Sequence, residues 1–383
     1  MDGMVKKIFV LVILVLTFGL ALATIVAPKK DYSENENRYL EKFPEPSLEN
    51  ITDASFMKDT ETFVSDHFIL RDIFMTIKTG YERATGRNRV NNIYLCKDGY
   101  YMEEYSPLEN TGRIVGAIKR LSENSQSKNI RILLVPSAVQ ILHDKLPSTA
   151  KNADQISDIK KIEGALEKTF DSINADDRSA AFVDVADELK KDSGEQIFYR
   201  LDHHWTTLGA YIAYRELARS FGFTPLEKNE FNIKTVSTDF KGSFYSKVND
   251  LFAKPDSIEV FESDRLSLTV KYPDKKIETD KLTADEYLEK KDKYSYFLNN
   301  QNSFVEVHNS NAESDRTLAI VKDSYANCII PFLAEHFSAI YIFDTRFYRE
   351  SVTDFINKNS VSDTLFLYNM YTIDTDTGIN GIR

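Results

Sequence analysis

Two of the chain's six histidines are adjacent, in Leu201-Asp202-His203-His204-Trp205-Thr206-Thr207. A carboxylate beside imidazoles is the side-chain set for moving protons. In an extended segment, residues two apart project to the same side, so Asp202 and His204 can lie side by side. The carboxylate then accepts the Nδ1–H, which fixes the tautomer and stabilises imidazolium when His204 takes a proton. His203 is expected to point the other way, in a supporting role. The bland rival is a structural pair capping the helix expected from residue 207. A metal at Asp202, His203 and His204 is the other rival, but the sequence offers no second Asp/His cluster of ligand spacing. Neither metal nor cofactor is expected.

The nucleophile must come from elsewhere. In Ile320-Val321-Lys322-Asp323-Ser324-Tyr325-Ala326-Asn327 an apolar strand runs into a serine and then into a helix. A sharp strand-to-helix turn exposes the Ser324 hydroxyl, and the free helix N–H groups around Tyr325 suit a developing oxyanion. This is not the G-x-S-x-G elbow, because Lys322 stands where glycine would sit. Serine also favours a plain helix N-cap, the structural alternative.

The elements that must hold these residues follow from periodicity. A hairpin is expected at Ile93–Cys96 and Tyr100–Met102, turned by Asp98-Gly99. Helix 108–125 then leads to strand Ile130–Val135, and helix 154–172 to strand Ala181–Val185. Helix 207–221 follows. Strand Leu318–Val321 precedes a helix over about 326–336, and strand Ile340–Phe343 precedes a helix over 350–358 and strand Thr364–Leu367. Short apolar strands joined by helices imply a parallel, doubly wound sheet, whose ligands bind outside the strand carboxyl ends. Ser137, Ser324, Asp344, Arg346 and Asn369 all fall there. Residues 224–312 break the rhythm with charge-rich, alternating stretches and a Lys/Asp/Glu-rich helix near 283–295. They read as an inserted subdomain, as a lid or as solvated decoration.

The chain's 383 residues suit one large domain or a domain with an insertion, and its formal charge is −11. Residues 1–30 carry four lysines against Asp2, so the remainder is more acidic still. Such a body repels polyanions, which argues against nucleic acid or a strongly anionic polymer as the main partner and favours a neutral or weakly charged ligand. The apolar run from Ile8 to Ala27, flanked by Lys6-Lys7 and Pro28-Lys29-Lys30, is long enough to cross a bilayer. Ala21-Leu22-Ala23 is an A-x-A-like cleavage site, so residues 1–30 are a signal anchor or a signal peptide. In either case the body is exported. Residues 31–55 read as a proline-punctuated tether, and 56–85 as amphipathic helix interrupted at Asp66–Arg71. Cys96 and Cys328 are too few for a disulfide scaffold or a cysteine metal site, and separate buried thiols are expected.

Asp-His-His-Trp-Thr resembles the signature of the DHHW family, a family that looks related to the alginate O-acetyltransferases. The resemblance extends to Ser33-Glu34-Asn35-Glu36-Asn37-Arg38, to Asp66-His67-Phe68 with Arg71, to Val135-Pro136-Ser137 with Asp144-Lys145-Leu146-Pro147, and to Asp344-Thr345-Arg346-Phe347-Tyr348. It implies an SGNH-hydrolase-like catalytic domain over 31–383, with 224–312 inserted. Carried over residue by residue, it makes Asp202, His204 and Ser324 the catalytic set, with Lys322-Asp323-Ser324 in place of the Gly-Asp-Ser of those O-acetyltransferase relatives. Tyr325, Arg346, Tyr348 and Asn369 are then candidates for substrate or oxyanion contacts, with His203, Trp205 and Asp323 in support; Asp66, His67 and Arg71 are expected to be structural. The implied activity is transfer of acetyl groups to a surface polysaccharide or cell-wall glycan through an acyl-serine. Because acetyl-CoA is not available outside the cell, a membrane-bound O-acyltransferase is the implied donor partner. An esterase with the same machinery and a non-catalytic glycan-binding or assembly protein are the alternatives.

Overall fold

The structure is a computed structural model that describes residues 3–33, 35–36 and 38–382. Glu34 and Asn37 of the motif quoted above lie outside the described residues. The chain divides into two compact units, Met1–Asn91 with Tyr245–Phe252, and Asn92–Phe244 with Ala253–Arg383.

The first unit begins with helix α1 (Gly3–Val26), apolar and long enough to span a membrane. Helices α2 (Ser55–Asp66) and α3 (Arg71–Ala84) follow, broken where the sequence predicts. Asp66 sits at the centre of the ion pairs here, accepting from Arg38 at 2.5 and 2.9 Å, while Glu36 takes Arg71 at 2.7 Å. The Arg38 hydrogen bond holds the Asp66 carboxyl below its usual range. The two motifs quoted from this region therefore form one structural network, which ties the segment after α1 to the α2–α3 junction.

The second unit is built on an eight-stranded sheet. Its strands are β1 (Asn129–Val135), β2 (Ser179–Phe182), β3 (Leu268–Tyr272), β4 (Ile277–Thr279), β5 (Phe304–Asn309), β6 (Thr317–Lys322), β7 (Ala339–Phe343) and β8 (Asp363–Asn369). They lie in the order β4-β3-β5-β7-β6-β8-β1-β2. The five strands from β7 to β2 are parallel, and β5, β3 and β4 extend them antiparallel. Buried runs such as Leu318-Ala319-Ile320-Val321 and Ile132-Leu133-Leu134-Val135 match strands covered on both faces. Helix α4 (Thr111–Asn124) buries Ile114, Ala117, Ile118 and Leu121, and α5 (Gln155–Asn174) buries Ile162, Leu166, Phe170 and Ile173. Both are helical stripes of the kind that cover a sheet. The architecture is the mixed α/β, SGNH-like fold expected from the sequence.

Two local expectations are corrected. Residues 283–295 are not one helix but two short 3-10 turns, Asp285–Tyr287 and Lys293–Tyr296. Lys293 through Leu298 are buried in succession, and no single helix face can bury consecutive residues. The helix expected over 326–336 is a tight turn, Ser324–Cys328, and then a short helix α7 (Ile330–Ala334). Pro331, which has no N–H, stands where the second begins.

Candidate active site

Helix α6 (Thr207–Ser220) starts at Thr206, whose hydroxyl accepts from the Gly209 N–H at 3.3 Å. The chain just before it doubles back. Thr206 donates to the Ile197 carbonyl at 2.9 Å, Tyr199 to that of His204 at 3.2 Å, and Phe198 bridges to Trp205. Asp256, fully buried, accepts the backbone N–H groups of Arg200 and Leu201 at 2.8 and 3.0 Å and the Arg200 guanidinium at 2.7 Å. The Leu201–His204 bend is thus pinned on both sides.

At its apex Asp202 accepts His204 Nδ1–H at 2.6 Å and the His204 backbone N–H at 3.0 Å through the same oxygen. Its other oxygen accepts the Ser243 N–H at 2.7 Å. Burial alone would raise this carboxyl. The charges of His203 and His204, the imidazole bond and the Ser243 amide outweigh it and hold Asp202 far below the usual carboxylate range. On the far side of the ring, His204 Nε2 lies 2.7 Å from Ser324 Oγ, across 120 residues of sequence. The three side chains form an unbroken line from carboxylate through imidazole to hydroxyl.

Ser324 opens its turn at the end of β6, a central strand of the sheet. Asp323 secures that turn, with one carboxylate oxygen taking the Tyr325 N–H and the other the Asn369 N–H, both at 2.9 Å. The ends of β6 and β8 are thereby locked together. Complete burial raises the Asp323 carboxyl against these amide bonds. Trp205 joins the two motifs directly, its indole N–H donating to the Tyr325 carbonyl at 2.9 Å, while the Tyr325 hydroxyl donates to the His203 carbonyl.

His203 does not point away. Its ring centroid is 3.8 Å from that of His204, and its Nδ1 is 2.7 Å from Ser243 Oγ. The expectation assumed an extended strand, whereas 201–204 is a bend that lets neighbouring side chains share a side. Asp202, His203 and His204 bring one ligand-type atom each within 4.8 Å. Ligands around tetrahedral zinc stand about 3.3 Å apart, however, and the 2.6 Å Asp202–His204 separation is that of a hydrogen bond. The donor set suits a proton relay.

The other strand-end candidates are engaged by their own neighbours. Arg346 binds Asp344 through Nε and Nη2 at 2.8 and 2.6 Å. Asn369 caps the following helix by accepting the Tyr371 N–H at 3.0 Å and donates to the Val135 carbonyl at 3.2 Å. Tyr348 packs edge-on against Phe343. Ser137 exchanges hydrogen bonds with Gln155 at 2.8 Å. Lys322, 2% exposed, donates to Asn327 at 2.9 Å and faces Asp344 at 3.4 Å. Burial depresses the Lys322 ammonium, and Asp344 offsets part of that shift.

Three residues escaped the sequence reading, all from 224–312. Tyr294 stacks on His204 with centroids 3.6 Å apart and planes 9° apart, and its hydroxyl donates to the Ser324 carbonyl at 3.2 Å. Ser243 supplies the amide and hydroxyl already described. Gly242 lies so close to Asp202 that a Cβ there would overlap its carboxylate. Asp202 and His204 stand together in one short segment of sequence; single residues recruited from a distant loop leave no such local signal.

With this geometry in hand, comparison with known proteins finds the family model described as "DHHW protein" matching residues 92–343. A DHHW family protein from Eubacterium siraeum has a similar structure, with TM-score 0.66 and 22% identity, covering 77% of this chain and 96% of that one. Bacillus cereus PatB1 with a sulfonyl adduct is similar at TM-score 0.60 and 18% identity, covering 76% and 98%. A second structure of Bacillus cereus PatB1 gives 0.59 and 18%, covering 75% and 98%. No curated protein matches by sequence.

Proposed function

The chain belongs to the DHHW family, and from that premise we propose that it is an extracytoplasmic serine O-acyltransferase that acetylates hydroxyls of an exopolysaccharide or cell-wall glycan. The observation that carries this reading is the line from Asp202 through His204 to Ser324, with both contacts of His204 at hydrogen-bond length. His204 takes the proton from Ser324 Oγ as that oxygen attacks the donor's acyl carbonyl. The imidazolium returns the proton to the leaving group as the tetrahedral intermediate collapses to acyl-serine. A sugar hydroxyl, deprotonated in turn by His204, then attacks the acyl-serine and restores the free enzyme. With the Tyr325 N–H taken by Asp323, the Ser324 N–H, first in its turn and without an intrahelical acceptor, is the assigned oxyanion donor. The donor partner is a membrane-bound O-acyltransferase, and α1 holds the enzyme beside it.

Ser324 is partly exposed, and this favours hydrolysis as the second reading: water that reaches the acyl-serine makes the same site an esterase. An intact relay weighs against a pure glycan-binding role. A sulfonyl fluoride or fluorophosphonate probe tests the nucleophile. Labelling of the wild type and its loss in Ser324→Ala are expected; equal labelling of both overturns the assignment. Partition of an acetyl-ester substrate between an oligosaccharide and water separates transferase from esterase.

A further inference from the structure

Helix α3 is inside out. Placed at about 100° per residue, Leu70 at its N-cap and Ile73, Phe74, Ile77 and Tyr81 form one narrow stripe, and every one of them is exposed, from 47% for Phe74 to 67% for Tyr81. The opposite side is polar and packed. Thr79 and Glu82 are buried, Thr79 donates to the Val248 carbonyl at 2.5 Å, and Arg83 pairs with Asp250. A helix that buries its polar face and presents its apolar one has the pattern opposite to that of a water-facing surface helix. Contiguous exposed apolar surface of this kind marks a contact with something apolar. Helix α2 adds exposed Met57 and Val64, and with Phe68, Phe74 and Met75 these line a groove of about 740 Å³ between the two helices.

The position of the stripe identifies what covers it. Thr24, at the outer end of α1, is the buried residue of that helix and accepts the Ile69 N–H at 3.2 Å. His67 Nε2 lies 3.0 Å from the Lys30 carbonyl, and the Lys29 ammonium sits 5.7 Å over the Phe63 ring. The α2–α3 junction is therefore fastened to the last turn of α1. A helix of 24 residues is about 36 Å long, slightly more than the hydrocarbon core, so that last turn lies at the lipid–water boundary. Helix α3 leaves from this point with its apolar stripe uncovered. Phe74 and Tyr81 supply the aromatic character typical of that depth, and Lys29 and Lys30 suit anionic headgroups.

We infer that α3, with the groove it shares with α2, lies in the outer interface of the phospholipid bilayer as a second, monotopic membrane contact. The inference rests on α1 being retained as an anchor and is independent of the chemistry at Ser324. The test uses the full chain, its intact mass confirming α1, in nanodiscs of zwitterionic and anionic phospholipid. With Cys96→Ser removing the half-buried thiol, a fluorophore is placed at Ile73→Cys, at Ile77→Cys and, on the opposite side of the same helix, at Asp72→Cys. The expected result is several-fold stronger quenching by doxyl lipid at Ile73 and Ile77 than at Asp72, with the reverse order for aqueous iodide. Iodide quenching equal at all three sites overturns the inference. Protection of Ile77 from both quenchers also overturns it, because the stripe is then covered by a second copy of the chain.

Discussion

The imidazole of His204 lies flat on the phenol ring of Tyr294, centroids 3.6 Å apart and planes within 9°. The Tyr294 hydroxyl reaches past it to the carbonyl of Ser324, so one side chain touches both the base and the nucleophile's backbone. Stacking restricts rotation of the ring about the two hydrogen bonds that make it useful. Tyr294→Phe keeps the stack and is expected to cost little activity. Tyr294→Ala frees the ring, and misplacement of this order costs about a hundredfold in kcat. Acetyl-ester turnover by the two variants checks this; equal losses would assign the role to the hydroxyl instead.

Asp202→Asn preserves shape but removes the charge and permits the wrong tautomer, for which a loss of about 10⁴ in kcat is the expected scale. The pH behaviour of the wild type follows from the same carboxylate. Despite its burial, the neighbouring imidazoles and the Ser243 amide hold it far below the usual range. A carboxyl depressed in the folded state binds protons more readily when unfolded, so its stabilisation is present above the ordinary value of about 3.9 and is lost as pH falls toward the folded value. Thermal melts from pH 6 downward are expected to show a Tm loss beginning near pH 4 that is smaller in Asp202→Asn. A parallel decline in the two proteins would contradict the assignment.

Gly242→Ala tests the packing behind the carboxylate. The added methyl overlaps Asp202, so either the loop carrying Ser243 moves or the carboxylate does. Overpacking of this kind costs about 1–3 kcal/mol, and displacement of Asp202 lowers turnover along with stability. Denaturant unfolding and turnover measured together decide the matter; a variant normal in both would mean the loop yields freely.

The parts of the site visible in the sequence are those whose side-chain chemistry and local spacing act together. Asp202 and His204 are two apart, Ser324 follows an apolar strand, and the strand rhythm puts that serine at the carboxyl ends of the sheet. The same rule puts Arg346 and Asn369 at those ends, but Asp344 and a helix cap occupy their side chains. His203 shares the side of His204 because a bend stands in place of a strand. Tyr294, Ser243 and Gly242 were invisible for a different reason. They come from 224–312, where charge-rich composition imitates a solvated helix while Tyr294, Tyr296 and Phe297 are buried. Their partners are chosen by tertiary folding, which leaves no periodic trace.

Lys322 stands two residues before the nucleophile, at the end of β6, and its surroundings set the outcome of replacing it. The side chain is 2% exposed, directed at Asn327 within the nucleophile's own turn and at Asp344 beyond it. Arg346 also holds Asp344, so removing the lysine does not leave that carboxylate alone, and the cost should fall below the 3–5 kcal/mol of an orphaned buried charge. Lys322→Met fills most of the volume and is expected to lower stability by about 1–2 kcal/mol while keeping Ser324 reactive. Lys322→Gly adds a cavity and loosens Asn327, so its stability loss should be larger and should be accompanied by slower labelling of Ser324. Urea unfolding with fluorophosphonate labelling rates measures both. If Lys322→Met abolished labelling in a protein that still unfolds cooperatively, the ammonium would have to act on the nucleophile itself rather than on the turn that carries it.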